Sequence, residues 1–119
     1  MAGVQSTEAI AGRPQKPMLA FNCLDDRLSV MISWPHYLGR DEARVEWRVG
    51  DGPVTATQFE VVGGEAAMLY GRGAEQFMAQ ARVADRVVVR VTGYRTQAEA
   101  VFLIPGAAER IDRAREVCA

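Results

Sequence analysis

Apolar and polar positions alternate with period two over most of the chain, and that period predicts strands. Leu19 and Phe21 lead into Cys23, an Asp25-Asp26 pair forms a turn, and Leu28, Val30, Ile32 and Trp34 then alternate with Arg27, Ser29, Met31 and Ser33. After Pro35 and a loop through Gly39, Val45, Trp47 and Val49 point away from Arg44, Glu46 and Arg48. Their succession suggests that these two strands pair antiparallel. Asp51-Gly52-Pro53 has turn chemistry. Thr55, Thr57, Phe59 and Val61 alternate up to Gly63-Gly64, and 66–70 returns as a short partner. Gly71 and Gly73 are expected to end this β run.

The period then changes. Ala74, Phe77, Met78 and Ala81 fall at helical spacing, predicting one amphipathic helix over 74–85. Val87, Val89 and Val91 mark a further strand, the turn over 94–97 reverses it, and Ala98, Ala100, Phe102 and Ile104 form the return. Beyond Pro105-Gly106, Ala107, Ile111, Ala114 and Cys118 share one helical face. The expected fold is α+β: an antiparallel β-sheet or small β-sandwich of about six strands carrying two short helices. Residues 1–17, rich in small, polar and proline residues, read as a flexible N-terminal leader, and 18–119 as one globular domain.

Composition narrows the classes. The 119 residues are 49% hydrophobic and 24% charged, enough for a core without metal staples. A formal charge of −1 supplies no broad field for a polyanion, so no nucleic-acid partner is expected. No apolar run approaches the roughly 20 residues of a membrane span. Thirteen of the fourteen basic residues are arginine, the exception being Lys16. The first sixteen residues lack the apolar core of a secretory signal, which leaves a cytoplasmic chain or one whose signal has been removed. Cys23 and Cys118 could bridge nearly the whole domain or remain two buried thiols, and the sequence alone leaves both open.

Candidate chemistry is sparse. His36, the only histidine, shares a loop with Asp41 and Glu42, and a small hydrolase using that group is the weakest reading because no activated nucleophile accompanies it. One histidine and two distant cysteines make no recognised metal set, so no metal and no cofactor are expected. Gly71-Arg72-Gly73 lacks the rest of a phosphate loop. Trp34 and Trp47 fall on inward faces and read as core in preference to a platform for sugars or bases. Arg86, Arg90 and Thr92 line the outward face of one strand, with Arg95 at its turn and Gln97 and Glu99 opposite. The row is either a solvated face with cross-strand ion pairs or a binding surface for an acidic protein partner.

The order of these landmarks resembles that of the VasI-type proteins associated with type VI secretion. The stretch from Cys23 to Trp34 is similar to that family's opening cysteine, polar turn and strand, and Val45 to Gly52 to its second strand and Asp-Gly turn. Phe77 to Ala84 resembles its helix, Arg86 to Tyr94 its strand and aromatic turn, Ala98 to Phe102 its return strand, and Gly106 to Cys118 its terminal helix and cysteine. The chain departs from the pattern at Trp47, where tyrosine is commoner, and at Ala119, where a tryptophan often follows the cysteine. The resemblance transfers no catalytic residue. It implies a Cys23–Cys118 disulfide, a periplasmic or secreted location, and a non-enzymatic accessory or interaction role in the bacterial envelope. A phage-encoded protein that binds and modulates a host protein is the alternative.

Overall fold

A computed structural model describes residues 17–35 and 37–118, together with the backbone of 2–5. His36 and leader residues 6–16 lie outside the described residues. The chain is α+β, with strands β1 (Ala2–Gln5), β2 (Met18–Leu24), β3 (Arg27–Ser33), β4 (Glu42–Val49), β5 (Val54–Val62) and β6 (Ala66–Tyr70). Helix α1 (Gly71–Ala81), strands β7 (Arg86–Gly93) and β8 (Thr96–Leu103), and helix α2 (Ala107–Cys118) follow. All strands join one antiparallel sheet in the order β1-β2-β3-β6-β5-β4-β7-β8.

Turn chemistry sets the hairpins. Asp25 and Asp26 have φ of 51° and 61°, and this two-residue left-handed turn joins β2 to β3 with Leu24 opposite Arg27. Aspartate tolerates that region better than most residues, so the sequence reading of this pair as a turn holds. Gly63 and Gly64, also at positive φ, let β5 return as β6.

Three expectations change. The sheet holds more than six strands, because β2 pairs with β3 through seven residues and β1 adds to the outer edge of β2. Strand β2 escaped the period-two reading because Leu19, Ala20, Phe21 and Asn22 are all buried, which erases the alternation. The strands before and after Pro35 do not pair: β6 docks on β3, while β4 lies between β5 and β7. Finally, the β run ends at Tyr70, where Gly71 and Gly73 are expected to end it, but α1 starts at Gly71 and stops at Ala81, so the helix lies earlier than the expected 74–85. Gly73 gives the Leu69 side chain its place, since an added Cβ would come within 2.8 Å of it and force it to shift.

The register carries one apolar face across the sheet, from Phe21 and Val30 through Leu69, Val61 and Phe59 to Trp47, Val89 and Ala100. Both helices pack on that face. Phe77 of α1 lies 5.1 Å from Trp47 and 6.3 Å from Phe21 between ring centroids, and Ile111 of α2 joins the same core. The sheet curls around this core until Cα atoms of β1 and β8 come within 8 Å of one another. Neither helix is long and apolar enough to cross a membrane. Cys118, at the end of α2, is bonded to Cys23 of β2, which resolves the choice between clasp and free thiols.

Candidate functional site

The other face of β4, β7 and β8 is polar, because these strands are covered on one side only. Arg86, Arg90 and Thr92 all point outward and are exposed, as the alternation requires. In register they stand opposite Leu103, Glu99 and Gln97 of β8, and on the other flank Glu46 faces Arg90 and Arg44 faces Thr92. One rung across the three strands, Glu46–Arg90–Glu99, alternates in charge, and Val88, opposite Arg48 and Val101, separates it from Arg86.

Each member has a partner or a geometric constraint. The Arg90 Nη2 donates to Glu99 Oε2 at 3.1 Å, and Gln97 Nε2 donates to Thr92 Oγ1 at 3.4 Å. Arg86 Nη2 lies 3.6 Å from Asp51 Oδ1, in the turn between β4 and β5. Arg95 sits in the two-residue turn between β7 and β8 at φ 53°, with its guanidinium 5.3 Å from the centre of the Tyr94 ring. Arg44 and Glu46 pair along β4 at 3.4 Å. Exposed pairs of this kind hold side chains loosely and add little to folding, so the guanidiniums can exchange their carboxylates for those of another molecule.

The remaining sequence candidates are placed as follows. Trp34 and Trp47 are 3% and 2% exposed, and neither offers a stacking surface. Asp41 accepts a hydrogen bond at its main-chain oxygen from Val61 N, and Glu42 stands opposite Glu60 across β4 and β5. Among the described residues, no group of three or more histidine, cysteine or carboxylate side chains is placed to hold a metal ion.

One feature escaped the sequence reading. The loop after β3 is bolted to its neighbours: Leu38 is fully buried, its N donates to Gly64 O at 2.7 Å, and its O accepts from Tyr94 N at 2.9 Å. Tyr37 and Tyr94, far apart in sequence, thereby meet edge to face with centroids 6.4 Å apart. They flank a groove of about 580 Å³ lined also by Leu38, Gly39, Arg40, Asp41 and Glu42. No period or motif signals this meeting, which depends on the long-range contact between a loop and a hairpin.

Compared with known protein families, curated proteins and solved structures, the chain matches none.

Proposed function

We propose that this chain is a non-enzymatic accessory or interaction domain of the bacterial envelope, of the kind that its resemblance to VasI-type proteins implies. The observation that carries the reading is the Cys23–Cys118 bond. It joins the two cysteines on which the resemblance rests, and bonds of this type persist in oxidising compartments such as the periplasm or the cell exterior. The working surface in this reading is the outward face of β7, where Arg86, Arg90 and Thr92, with Arg95 at the turn, meet acidic groups of a protein partner. Arginine presents a planar fork that matches a carboxylate bidentately, and β7, paired with β4 on one side and β8 on the other, holds the Arg86 and Arg90 backbone positions at fixed spacing.

The test is affinity capture from the source cell with the wild-type chain and with the double reversal Arg86→Glu, Arg90→Glu, read by quantitative mass spectrometry. The expected result is at least about tenfold weaker capture of a defined envelope protein with only a small fall in melting temperature, since exposed ion pairs are worth about 0 to 1 kcal/mol each and the reversal sets a carboxylate between Glu46 and Glu99. Undiminished capture by the double variant overturns the assignment of the face. Capture of a cytoplasmic host protein by a gene in a phage setting favours the host-modulating alternative.

A further inference from the structure

At the opposite end of β4 and β7 from the Tyr37–Tyr94 groove, three loops come together: the turn after β4, the link from α1 to β7 and the link from β8 to α2. Main-chain bonds tie them to one another. Gly50 N donates to Arg86 O and Ile104 N to Asp85 O, both at 2.8 Å, and Gly52 N closes its turn on Val49 O at 3.0 Å. The surface they form is therefore set before any partner arrives, which lowers the cost of ordering it on contact.

That surface exposes apolar side chains together. Pro53, Val83 and Pro105 border a recess of about 760 Å³, and Leu103 and Pro105 border the one beside it. Val83 is 84% exposed and Leu103 52%. Grouped apolar exposure of this kind marks an interaction site. Charge then changes sign across Pro105 and Gly106. The recess at Val83 has Asp51 and Asp85 as its charged lining, whereas an adjoining recess that shares Pro105 and Gly106 is lined by Glu109, Arg110 and Arg113. Asp51 stands 3.6 Å from Arg86, and Glu109 3.7 Å from Arg113. Among the described residues, Asp85 and Arg110 have no ion-pair partner.

A matching partner must present an apolar centre, a cation for Asp85 and a carboxylate for Arg110. A second copy of this chain, turned about a two-fold axis through Pro105 and Gly106, presents all three, because a two-fold contact sets residue i against j and j against i. We infer that the chain forms a two-fold symmetric dimer through this end of the fold, with Asp85 of each copy facing Arg110 of the other and Val83 and Pro105 in the shared centre. The surface lies beyond the protein-binding row of β7 and meets it only at Arg86.

The experiment is sedimentation velocity of the whole disulfide-bonded chain over a concentration series reaching about 500 µM, where the mean mass should approach that of a dimer with a dissociation constant near or below about 100 µM. Val83→Glu puts a charge at the exposed centre and should weaken association at least about tenfold, with the circular dichroism of the monomer unchanged. Asp85→Arg and Arg110→Asp should each weaken it comparably, since each sets like charges against one another twice across the axis. An equimolar mixture of these two variants should associate nearly as well as wild type, because each copy then supplies the charge that the other lacks. Mixing would not rescue a variant that had merely failed to fold. Arg90→Glu should leave the dimer unaltered, which separates this surface from the protein-binding row. A chain that stays monomeric across the series overturns the inference, as does association that survives Val83→Glu or a mixture as weak as its components. A monomeric chain whose capture of a different protein is abolished by Val83→Glu would assign the surface to that protein and overturn the inference equally.

Discussion

Cys23 on β2 and Cys118 at the end of α2 are joined with their α-carbons 5.5 Å apart, and 95 positions of sequence separate them. The bond therefore holds a terminal helix whose apolar face is narrow: Ala107, Ile111 and Ala114 are its buried residues, while Val117 is largely exposed. A twelve-residue helix is marginal alone, so its persistence depends on that packing and on the tether.

Reduction should accordingly destabilise the whole domain. In the chain-entropy model a loop of this length contributes about 4.5 kcal/mol through the unfolded state, reduced by any strain in the native one. The melting temperature should fall clearly on reduction, and Cys118→Ser should reproduce the fall without reductant. Intact mass under non-reducing conditions, after alkylation, should show no reactive thiol. Two alkylated cysteines in protein purified from an oxidising compartment would remove the tether and with it the support for an envelope location.

A second tie between elements titrates. Arg82, the residue that caps α1, donates from Nε to Asp112 Oδ1 at 3.0 Å and from Nη2 to Oδ2 at 2.9 Å, joining α1 to α2. That bidentate hydrogen bond, with the nearby positive charges of Arg82 and Arg115, holds the Asp112 carboxyl below its ordinary 3.8 against a weaker opposing effect of desolvation. A carboxyl depressed in the folded state stabilises fully above its unfolded pKa and loses the contribution as pH falls through the folded one. Stability should thus decline below about pH 4 in part through this pair. In Arg82→Ala, carboxyl NMR should show Asp112 titrating closer to its ordinary value, and an unchanged titration would exclude the pairing in solution.

The strands with one covered face were legible because each buries every second residue: Val45 and Trp47, Phe59 and Val61, Val87, Val89 and Val91, Ala100 and Phe102 are all buried. That same alternation placed Arg86, Arg90 and Thr92 outward, and the turn placed Gln97 and Glu99 opposite them. Strand β2, buried on both sides, gave no such signal, and neither did the docking of β6 between β3 and β5. The partners that come from long-range register were equally hidden: nothing local to Arg90 points to Glu46, nor anything local to Tyr94 to Tyr37.

Gly93 illustrates a requirement set by tertiary contact. Its conformation is open to other residues, yet an added Cβ would meet Leu38 O at 2.6 Å and Leu38 Cα at 3.0 Å. These are backbone atoms of a fully buried residue and cannot move aside as a flexible side chain would. Gly93→Ala should cost about 1 to 3 kcal/mol in urea unfolding, the range for overpacking. Gly50→Ala is the control for a different cause. Nothing lies within 4 Å of its added Cβ, so its cost should come from the positive φ of 56° alone and be the smaller of the two. A neutral Gly93→Ala would mean that the loop at Leu38 is not held against β7.

Trp34 and Trp47 are both buried and differ in one atom's fate. The Trp47 Nε1 donates to Gln80 Oε1 at 3.0 Å and its ring meets Phe59 and Phe77, at 6.0 and 5.1 Å between centroids. The Trp34 Nε1 is buried without a hydrogen-bond partner among the described residues. Truncating either to alanine removes a large buried ring and should cost about 3 to 5 kcal/mol. Phenylalanine separates them, because it keeps most of the ring and deletes the indole N–H. In Trp47→Phe a made bond is lost, worth about 0.5 to 1.5 kcal/mol beyond the change in packing. In Trp34→Phe a buried donor that no described residue satisfies is removed, a gain of roughly 1 to 3 kcal/mol that offsets the lost ring area. Trp47→Phe should therefore be clearly the more destabilising of the two in urea unfolding, with the remaining indole in each variant reporting a buried environment by its fluorescence. The reverse order would show that the Trp34 indole has an acceptor in solution and that its position is held by that bond as well as by packing.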